Sequence, residues 1–453
     1  MNGWLDLMGG IVERGRSMID LRRTNATGSE SVLELMKRLV SAVGEASGIA
    51  LAAEALERYA ALPVEERRTV LLGLAERFGS DMAALDAAVA AHRADPTSET
   101  AATLHLASEP RRQELLRRLN RAPGGTAALV AMREDVLDAL PGEPTLRGVD
   151  ADFRHLFSSW FNRGFLTMRR IDWQTPAAIL ERIIHYEAVH AIKDWDDLRR
   201  RIDPADRRLY AFFHPALPGE PLIFVEVALT ATMPDRIDDV LAADREPLKP
   251  ERAKVATFYS ISNCQRGLAG ISFGSFLIKQ VAGELATELP ALDSFVTLSP
   301  VPGFRAWTER EGAETRDISL PDPPEAADPT ATQVAIEAAR GALEPLARDY
   351  LTKAKNGRGR PLDPVARFHL GNGARLERLC WMGDPSPKGL SQSWGCMVNY
   401  RYVPADIERN HELYANEQRI VTGPPWRRGS GRSSGLATGR LRARPPATNA
   451  DPA

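Results

Sequence analysis

The segment from Val255 to Ser299 constrains the fold most, because it has the pattern of a strand, a glycine turn, a helix and a second strand. Residues 255–262 are rich in β-branched and aromatic side chains. Apolar residues recur at helical spacing over 272–288, and 294–299 again has strand character. A βαβ unit of this kind places its two strands parallel. Ligands bind beyond the carboxyl ends of such strands, where both the glycine turn and Ser299 fall.

The turn itself, Arg266-Gly-Leu-Ala-Gly-Ile-Ser-Phe-Gly274, carries three glycines at the entrance to the predicted helix. Backbone N–H groups at a helix N-terminus bind phosphate, and glycines allow a ligand to approach the backbone closely. The spacing fits neither G-x-G-x-x-G nor G-x-x-x-x-G-K-[ST]. The turn alone is therefore equally consistent with a bound anion and with close packing of the helix on the sheet.

Two polar side chains further along the chain are candidates for chemistry. A proline-rich turn follows Ser299 and fixes its direction, but there is no G-x-S-x-G elbow, which disfavours serine-hydrolase chemistry. His369 lies among apolar residues before Gly-Asn-Gly, and histidine passes protons near neutral pH. Spacing alone also allows structural roles for both residues, and His185, His190 and His214 have comparable surroundings.

The chain divides into three parts of different character. Residues 1–160 show helical spacing almost throughout and are predicted to form a bundle that serves packing or oligomerisation. Residues 161–422 contain the strand patterns. Residues 423–453 contain six arginines and one acid among many Gly, Ser and Pro, and are predicted to be a disordered basic tail. The predicted fold class is α + α/β, an all-helical bundle followed by a mixed-sheet domain.

Composition excludes several classes of function. The net charge of −2 argues against a general affinity for nucleic acid. No stretch approaches the roughly 18 apolar residues of a membrane span, and the first residues do not form a secretory signal. The three cysteines are widely spaced and no H-E-x-x-H occurs, so neither a disulfide framework nor a metal site is predicted. We expect a cytoplasmic protein.

Six collinear segments together resemble the malonyl-CoA decarboxylase family. They follow the family order and cover most of residues 160–420. They are Pro218–Leu229, Ser260–Ser262, Gly267–Val281, Leu298–Phe304, Leu362–Ala374 and Met397–Tyr402. The resemblance implies a helical N-terminal domain and a C-terminal catalytic domain with the GNAT acyltransferase fold. It also implies a homo-oligomer, a dimer or tetramer formed through the helical domain.

The resemblance further implies a reaction and its residues. Malonyl-CoA would be converted to acetyl-CoA and carbon dioxide without a metal or an organic cofactor. Ser299 and His369 would be catalytic, the serine orienting the carboxylate and the histidine protonating the enolate, although these roles could be divided differently. The contacts to coenzyme A and the acyl group would be Ala269, Gly270, Ile271, Ser272, Phe273, Gly274 and Ser275.

One position departs from the family. Animal members carry a glutamate implicated in activity where this chain has Ser272. Two other functions remain open at this stage. One is a GNAT-like transferase that moves an acyl group from coenzyme A to an amine, and the other is a non-catalytic acyl-CoA-binding protein. Formation of acetyl-CoA without an acyl acceptor distinguishes the decarboxylase from both of these alternatives.

Overall fold

The computed structural model describes residues 27–42, 44–271, 276–312 and 329–427, together with residue 10 and residues 12–14. Predictions that concern 272–275, 313–328 or 428–453 lie outside the described residues. Within them, a helical N-terminal region precedes a mixed-sheet domain, so the predicted fold class is confirmed. No helix of this described part is long and apolar enough to cross a membrane.

The N-terminal region is built from helices, most of which bury an apolar face. They are α1 (Gly28–Ser41), α2 (Glu45–Ala61), α3 (Val64–Arg77), α4 (Met82–Ala94), α5 (Ser98–Ser108), α6 (Arg111–Leu119), α7 (Gly125–Ala139) and α8 (Arg147–Trp160). Proline precedes α3 and two acids occupy its first turn, as expected for the positive end of the helix dipole. Helix α5 buries none of its residues, and a capping box at Thr97 begins it.

The sheet domain begins with three antiparallel pairings. Its strands are β1 (Thr167–Ile171), β2 (Arg207–Phe213), β3 (Pro221–Thr230), β4 (Val255–Asn263), β5 (Ser294–Thr297), β6 (Ser299–Pro300), β7 (Arg375–Cys380) and β8 (Met397–Tyr402). Strands β1 to β4 form an antiparallel meander, and β4 then pairs with β5 in parallel. The predicted parallel pair around the glycine turn is therefore confirmed.

Strands β4 and β5 separate at their carboxyl ends. Their parallel pairing ends at Phe258 and Thr297, and the Leu298 N–H makes one further bond to the Phe258 carbonyl at 2.9 Å. Beyond this point β4 pairs with β3, whereas β6 continues the register of β5 against β8. The opening between the two strands is the position at which a ligand can enter the sheet.

Helices cover both faces of the sheet. They are α9 (Ala177–Tyr186), α10 (Trp195–Ile202), α11 (Asp238–Leu241), α12 (Phe276–Glu288), α13 (Phe304–Trp307), α14 (Pro329–Ala338), α15 (Arg340–Thr352), α16 (Pro364–Gly371), α17 (Pro387–Ser393), α18 (Ile407–Glu417) and α19 (Pro424–Arg427). One continuous apolar core joins the helical region to one face of the sheet, and a second cluster under α9 and α10 covers the other face. The two regions therefore share a core rather than touching through a linker.

The folded chain continues past residue 422. The Gly423 N–H donates to the Leu376 carbonyl at 2.7 Å, and the Trp426 side chain, which belongs to α19, is buried. The first residues of the predicted tail thus pack on the sheet domain. The remainder of that tail lies outside the described residues.

Candidate active site

Ser299 lies in β6, directly after β4 and β5 have separated. Its side chain is 5% exposed, and Thr297, two residues earlier, is fully buried on the same side of the strand. The Ser299 hydroxyl donates to Thr297 Oγ1 at 2.9 Å. Gly303, at a φ of 81°, completes the turn that follows, as the two prolines and the glycine predicted. The turn directs the chain away from the sheet and leaves the serine at its edge.

His369 reaches the same place from α16. Asp363 caps this helix by accepting from the Ala366 N–H at 2.7 Å, and Pro364 occupies its first position. The helix ends before Asn372, in the Gly-Asn-Gly turn. The His369 side chain is 3% exposed, and its Nε2 lies 3.1 Å from Ser299 Oγ. Residues 70 positions apart in sequence are therefore hydrogen-bonded partners.

A directed chain of hydrogen bonds passes through the imidazole. Since Ser299 donates to Thr297, it accepts from His369, which places the ring proton on Nε2. The other ring nitrogen, Nδ1, lies 2.9 Å from the Tyr402 hydroxyl and accepts from it. The ring also stacks on Tyr400, with centroids 4.6 Å apart. The two tyrosines thus fix the orientation of the imidazole ring.

Ser299 and His369 both line a cavity of about 230 Å³ between the separated strands. Strand β4 supplies 258–261 and Asn263, and α16 supplies Pro364, Val365 and Phe368. No lysine, arginine, aspartate or glutamate is among the described residues of this lining. Burial lowers the pKa of His369 to about 3, so the ring is neutral at physiological pH.

The other histidines do not reach this cavity. His190 lines a neighbouring cavity of about 210 Å³, and its Nε2 is buried without a hydrogen-bond partner among the described residues. His214 packs its ring against Phe161 at 4.9 Å, and His185 contacts Tyr186. Geometry thus separates His369 from the alternatives that spacing left open.

The glycine turn is only partly described. Arg266–Leu268 form one turn of 3₁₀ helix, and Gly270 has a φ of 77°, a conformation that favours glycine. Ala269 and Gly270 are exposed, whereas the side chain of Ile271 is buried in the core and offers at most its backbone to a ligand. The remaining residues of the predicted contact segment lie outside the described residues; they are Ser272, Phe273, Gly274 and Ser275. They include the position where animal members of the family carry a glutamate and this chain has Ser272.

Sequence reasoning missed Thr297, Tyr400 and Tyr402. A usable signal existed for the first, because Thr297 and Ser299 alternate along one strand and therefore share a face. The tyrosines also alternate along β8, on either side of Arg401, but the pattern does not show which partner they meet. Among the described residues no group of three or more His, Cys, Asp or Glu side chains could hold a metal ion.

Comparison with known proteins identifies the same family in both regions of the chain. Residues 164–429 match the family "Malonyl-CoA decarboxylase C-terminal domain", and 78–161 match "Malonyl-CoA decarboxylase N-terminal domain". The mitochondrial malonyl-CoA decarboxylase of Anser anser anser is 37% identical over 410 residues, 81% of each chain. The mitochondrial enzyme of Rattus norvegicus is 35% identical over 404 residues, 80% of this chain and 81% of that protein.

Two solved structures are also similar. The malonyl-CoA decarboxylase of Rhodopseudomonas palustris superimposes with a TM-score of 0.81 at 52% identity, over 89% of this chain and 100% of that one. The enzyme of Agrobacterium vitis gives a TM-score of 0.80 at 50% identity, over 88% and 100%. The resemblance seen in six sequence segments is confirmed over both regions. This chain belongs to the malonyl-CoA decarboxylase family.

Proposed function

We propose that this protein decarboxylates malonyl-CoA to acetyl-CoA and carbon dioxide. The observation that carries the proposal is the hydrogen-bonded pair of Ser299 and His369 in a cavity whose described lining contains no ionic side chain. A carboxylate that enters such a cavity loses water and gains no permanent counter-ion. In these surroundings, spreading the negative charge over a delocalised enolate is more favourable than it is in water. The charge spreads in this way as carbon dioxide leaves.

The size of the cavity suits the reacting end of the substrate. About 230 Å³ accommodates a malonyl thioester but not a whole coenzyme A, because pockets for drug-sized ligands run from about 300 to 1,000 Å³. The nucleotide of coenzyme A therefore stays outside the cavity, on the surface near the glycine turn. Ala269 and Gly270 are exposed there, and α12 begins a few residues later with N–H groups that lack helical partners.

The decarboxylation step needs an acceptor for the electron pair of the bond that breaks. The bond between the carboxylate and the α-carbon breaks, its electrons move into the thioester carbonyl, and an enolate forms while carbon dioxide leaves. The thioester is itself the electron acceptor, which is why we propose that neither a metal nor an organic cofactor is required. Hydrogen bonds to the enolate oxygen lower the barrier, and losing one such donor typically costs about a hundredfold or more in rate.

The proton that completes the product is assigned to His369. The imidazole is neutral in the empty cavity, so it must gain a proton when the anionic substrate binds. An opposite charge about 4 Å away is worth about 4 kcal/mol at an effective dielectric of about 20, or about three pKa units. A bound carboxylate therefore raises the pKa of His369 from its low value and favours the protonated ring. The Tyr402 hydroxyl can donate to Nδ1 or accept from it, and so it supports the ring in both states.

Ser299 is assigned to the carboxylate. Its hydroxyl lies between His369 Nε2 and Thr297 Oγ1, so turning it towards a ligand exchanges one hydrogen bond for another. A donor at this point fixes the plane of the carboxylate relative to the thioester and so aligns the bond that breaks. The reverse assignment, with the serine facing the enolate oxygen, uses the same contacts.

Three finer features of the proposal concern the whole molecule. The domain boundaries near residues 160 and 422, the homo-oligomer formed through the helical region and the cytoplasmic location remain predictions. The curated relatives named above are called mitochondrial, which describes those proteins. Size-exclusion chromatography with light scattering tests the predicted dimer or tetramer.

The direct test is to incubate the purified protein with malonyl-CoA and no acyl acceptor. We expect equal amounts of acetyl-CoA and carbon dioxide. Transfer of the acyl group that occurs only with an amine would support the GNAT-like transferase instead. Thermal stabilisation by coenzyme A without any turnover would support an acyl-CoA-binding protein and refute the decarboxylase.

A further inference from the structure

The helical region touches the glycine turn directly. Helix α7 packs on the 3₁₀ turn Arg266–Leu268, and a Cβ atom built on Gly267 would overlap the carbonyl oxygen of Val130 in that helix. Glycine at this position is therefore required by close approach of two backbones rather than by an unusual φ. The turn that precedes the proposed coenzyme A contacts is thus seated on a helix of the N-terminal region.

Charged side chains of α7 hold both backbone groups of Gly267. Arg133, which is 1% exposed, donates from Nη1 to the Gly267 carbonyl at 2.7 Å. Glu134 accepts from the Gly267 N–H at 3.1 Å, and Arg266 forms an ion pair with Asp138 one helical turn further on. A buried guanidinium that bonds to a carbonyl is costly to leave unpaired. These contacts therefore fix the turn relative to the helical region.

A further arginine from the helical region stands beside the exposed part of the turn. The Nε atom of Arg154, on α8, lies 3.7 Å from the position that a Cβ of Gly270 would occupy. Its side chain is exposed and forms no ion pair with any described residue. The two acids of the same helix are already engaged, because Asp150 pairs with Arg133 at 2.9 Å and Asp152 pairs with Arg112. The guanidinium group of Arg154 therefore lies next to the glycine turn without an ion-pair partner among the described residues.

We propose that the helical region is part of the coenzyme A site, with Arg154 binding a phosphate group of the nucleotide. The inference rests on the proposed function, since it takes an acyl-CoA as the ligand. The cavity admits only the acyl end, so the phosphates lie at the surface where Arg154 stands. Guanidinium groups bind phosphate oxygens through two parallel N–H bonds, which suits an exposed site better than a single point charge. Arg133 and Glu134 act as positioning residues for the turn.

The test compares two substrates in two variants. Malonyl-pantetheine has the same reacting end as malonyl-CoA but lacks every phosphate, and the readout is the ratio of kcat/KM for the two substrates. We expect Arg154→Gln to lower the preference for malonyl-CoA by about tenfold, the lower end of the range for a hydrogen bond to a charged group. The exposed Arg93 has no ion-pair partner among the described residues, and Arg93→Gln should keep the wild-type ratio.

The affinity for coenzyme A distinguishes a failure of this inference from a failure of the proposed function. The affinity for free coenzyme A, measured by calorimetry at two salt concentrations, should fall in Arg154→Gln and lose part of its salt dependence. An unchanged substrate ratio together with an unchanged coenzyme A affinity would overturn the inference, as would equal losses with both substrates. If the wild-type protein turned over neither substrate, the proposed function would fail, and the coenzyme A affinities would still decide whether Arg154 binds phosphate.

Discussion

Replacing Tyr402 by phenylalanine removes the hydroxyl group that contacts His369 Nδ1 at 2.9 Å and leaves the aromatic ring in place. Tyr402 is 1% exposed and His369 3%, so water does not replace the lost partner easily. A buried polar atom without a partner costs about 1 to 3 kcal/mol. The cost increases when the ring is positively charged, because Nδ1 then carries a proton with no acceptor.

The expected loss follows from these numbers. If the proposed protonated state of His369 is destabilised by about 1 to 3 kcal/mol, kcat for malonyl-CoA falls by about 5- to 160-fold. The affinity for coenzyme A should change little, because the hydroxyl lies behind the histidine rather than at the glycine turn. Initial rates at saturating malonyl-CoA measure the first quantity, and calorimetry with coenzyme A measures the second.

Tyr414 provides the matched control. Its hydroxyl is buried without a hydrogen-bond partner among the described residues, so Tyr414→Phe removes the same atom from a place where it makes no such contact. We expect wild-type activity and equal or slightly higher stability. A Tyr402→Phe variant that folds normally and keeps kcat within about twofold of the wild type would refute the proposed role of the hydrogen bond.

Three further predictions concern the turn, the proton and the pH dependence of stability. Gly267→Ala places a methyl group against the Val130 carbonyl, so a shift of the turn should weaken coenzyme A binding and lower the melting temperature; unchanged affinity would contradict the positioning role. Binding of a non-reactive malonyl-CoA analogue that keeps the carboxylate should take up protons at pH 6, measured by calorimetry in buffers of different ionisation enthalpy, whereas acetyl-CoA takes up none; no uptake with either would contradict protonation of His369. Burial lowers the pKa of His190 to about 3, so its contribution to stability is present above pH 6.5 and is lost as the pH falls. The wild type should therefore lose about 2 kcal/mol more than His190→Gln between pH 6.5 and 5 in urea denaturation; equal losses would contradict this.

Much of the fold could be predicted because its signals are local. Strand β4, the helix after the glycine turn and the strand that ends at Ser299 follow from apolar periodicity and from the glycine and proline positions. Helix α5 has no such signal of its own, because it buries no side chain and apolar periodicity reflects burial. The short break between β5 and β6 also has no local signature, since it lies where the parallel pairing of β4 with β5 ends.

The candidate site could be predicted only through the family resemblance. Nothing in the local pattern of Ser299 or His369 shows that they meet, because α16 packs on β7 and α18, and β7 is connected to β6 only through β8. Tyr402 was missed for a related reason, because its partner His369 lies 33 positions away in the chain and their contact depends on tertiary structure. The contact of Arg133 with Gly267 joins two regions that sequence analysis treated separately.

We propose that the pair of Ser299 and His369 performs the decarboxylation in the cavity between the separated strands. The measurement that tests this directly is kcat for acetyl-CoA formation from malonyl-CoA by His369→Gln, with the coenzyme A affinity of the same protein as the measure of an intact site. We expect kcat to fall by about 100-fold or more while that affinity stays within about twofold. A variant that binds coenzyme A normally and forms acetyl-CoA at a rate near that of the wild type would contradict it.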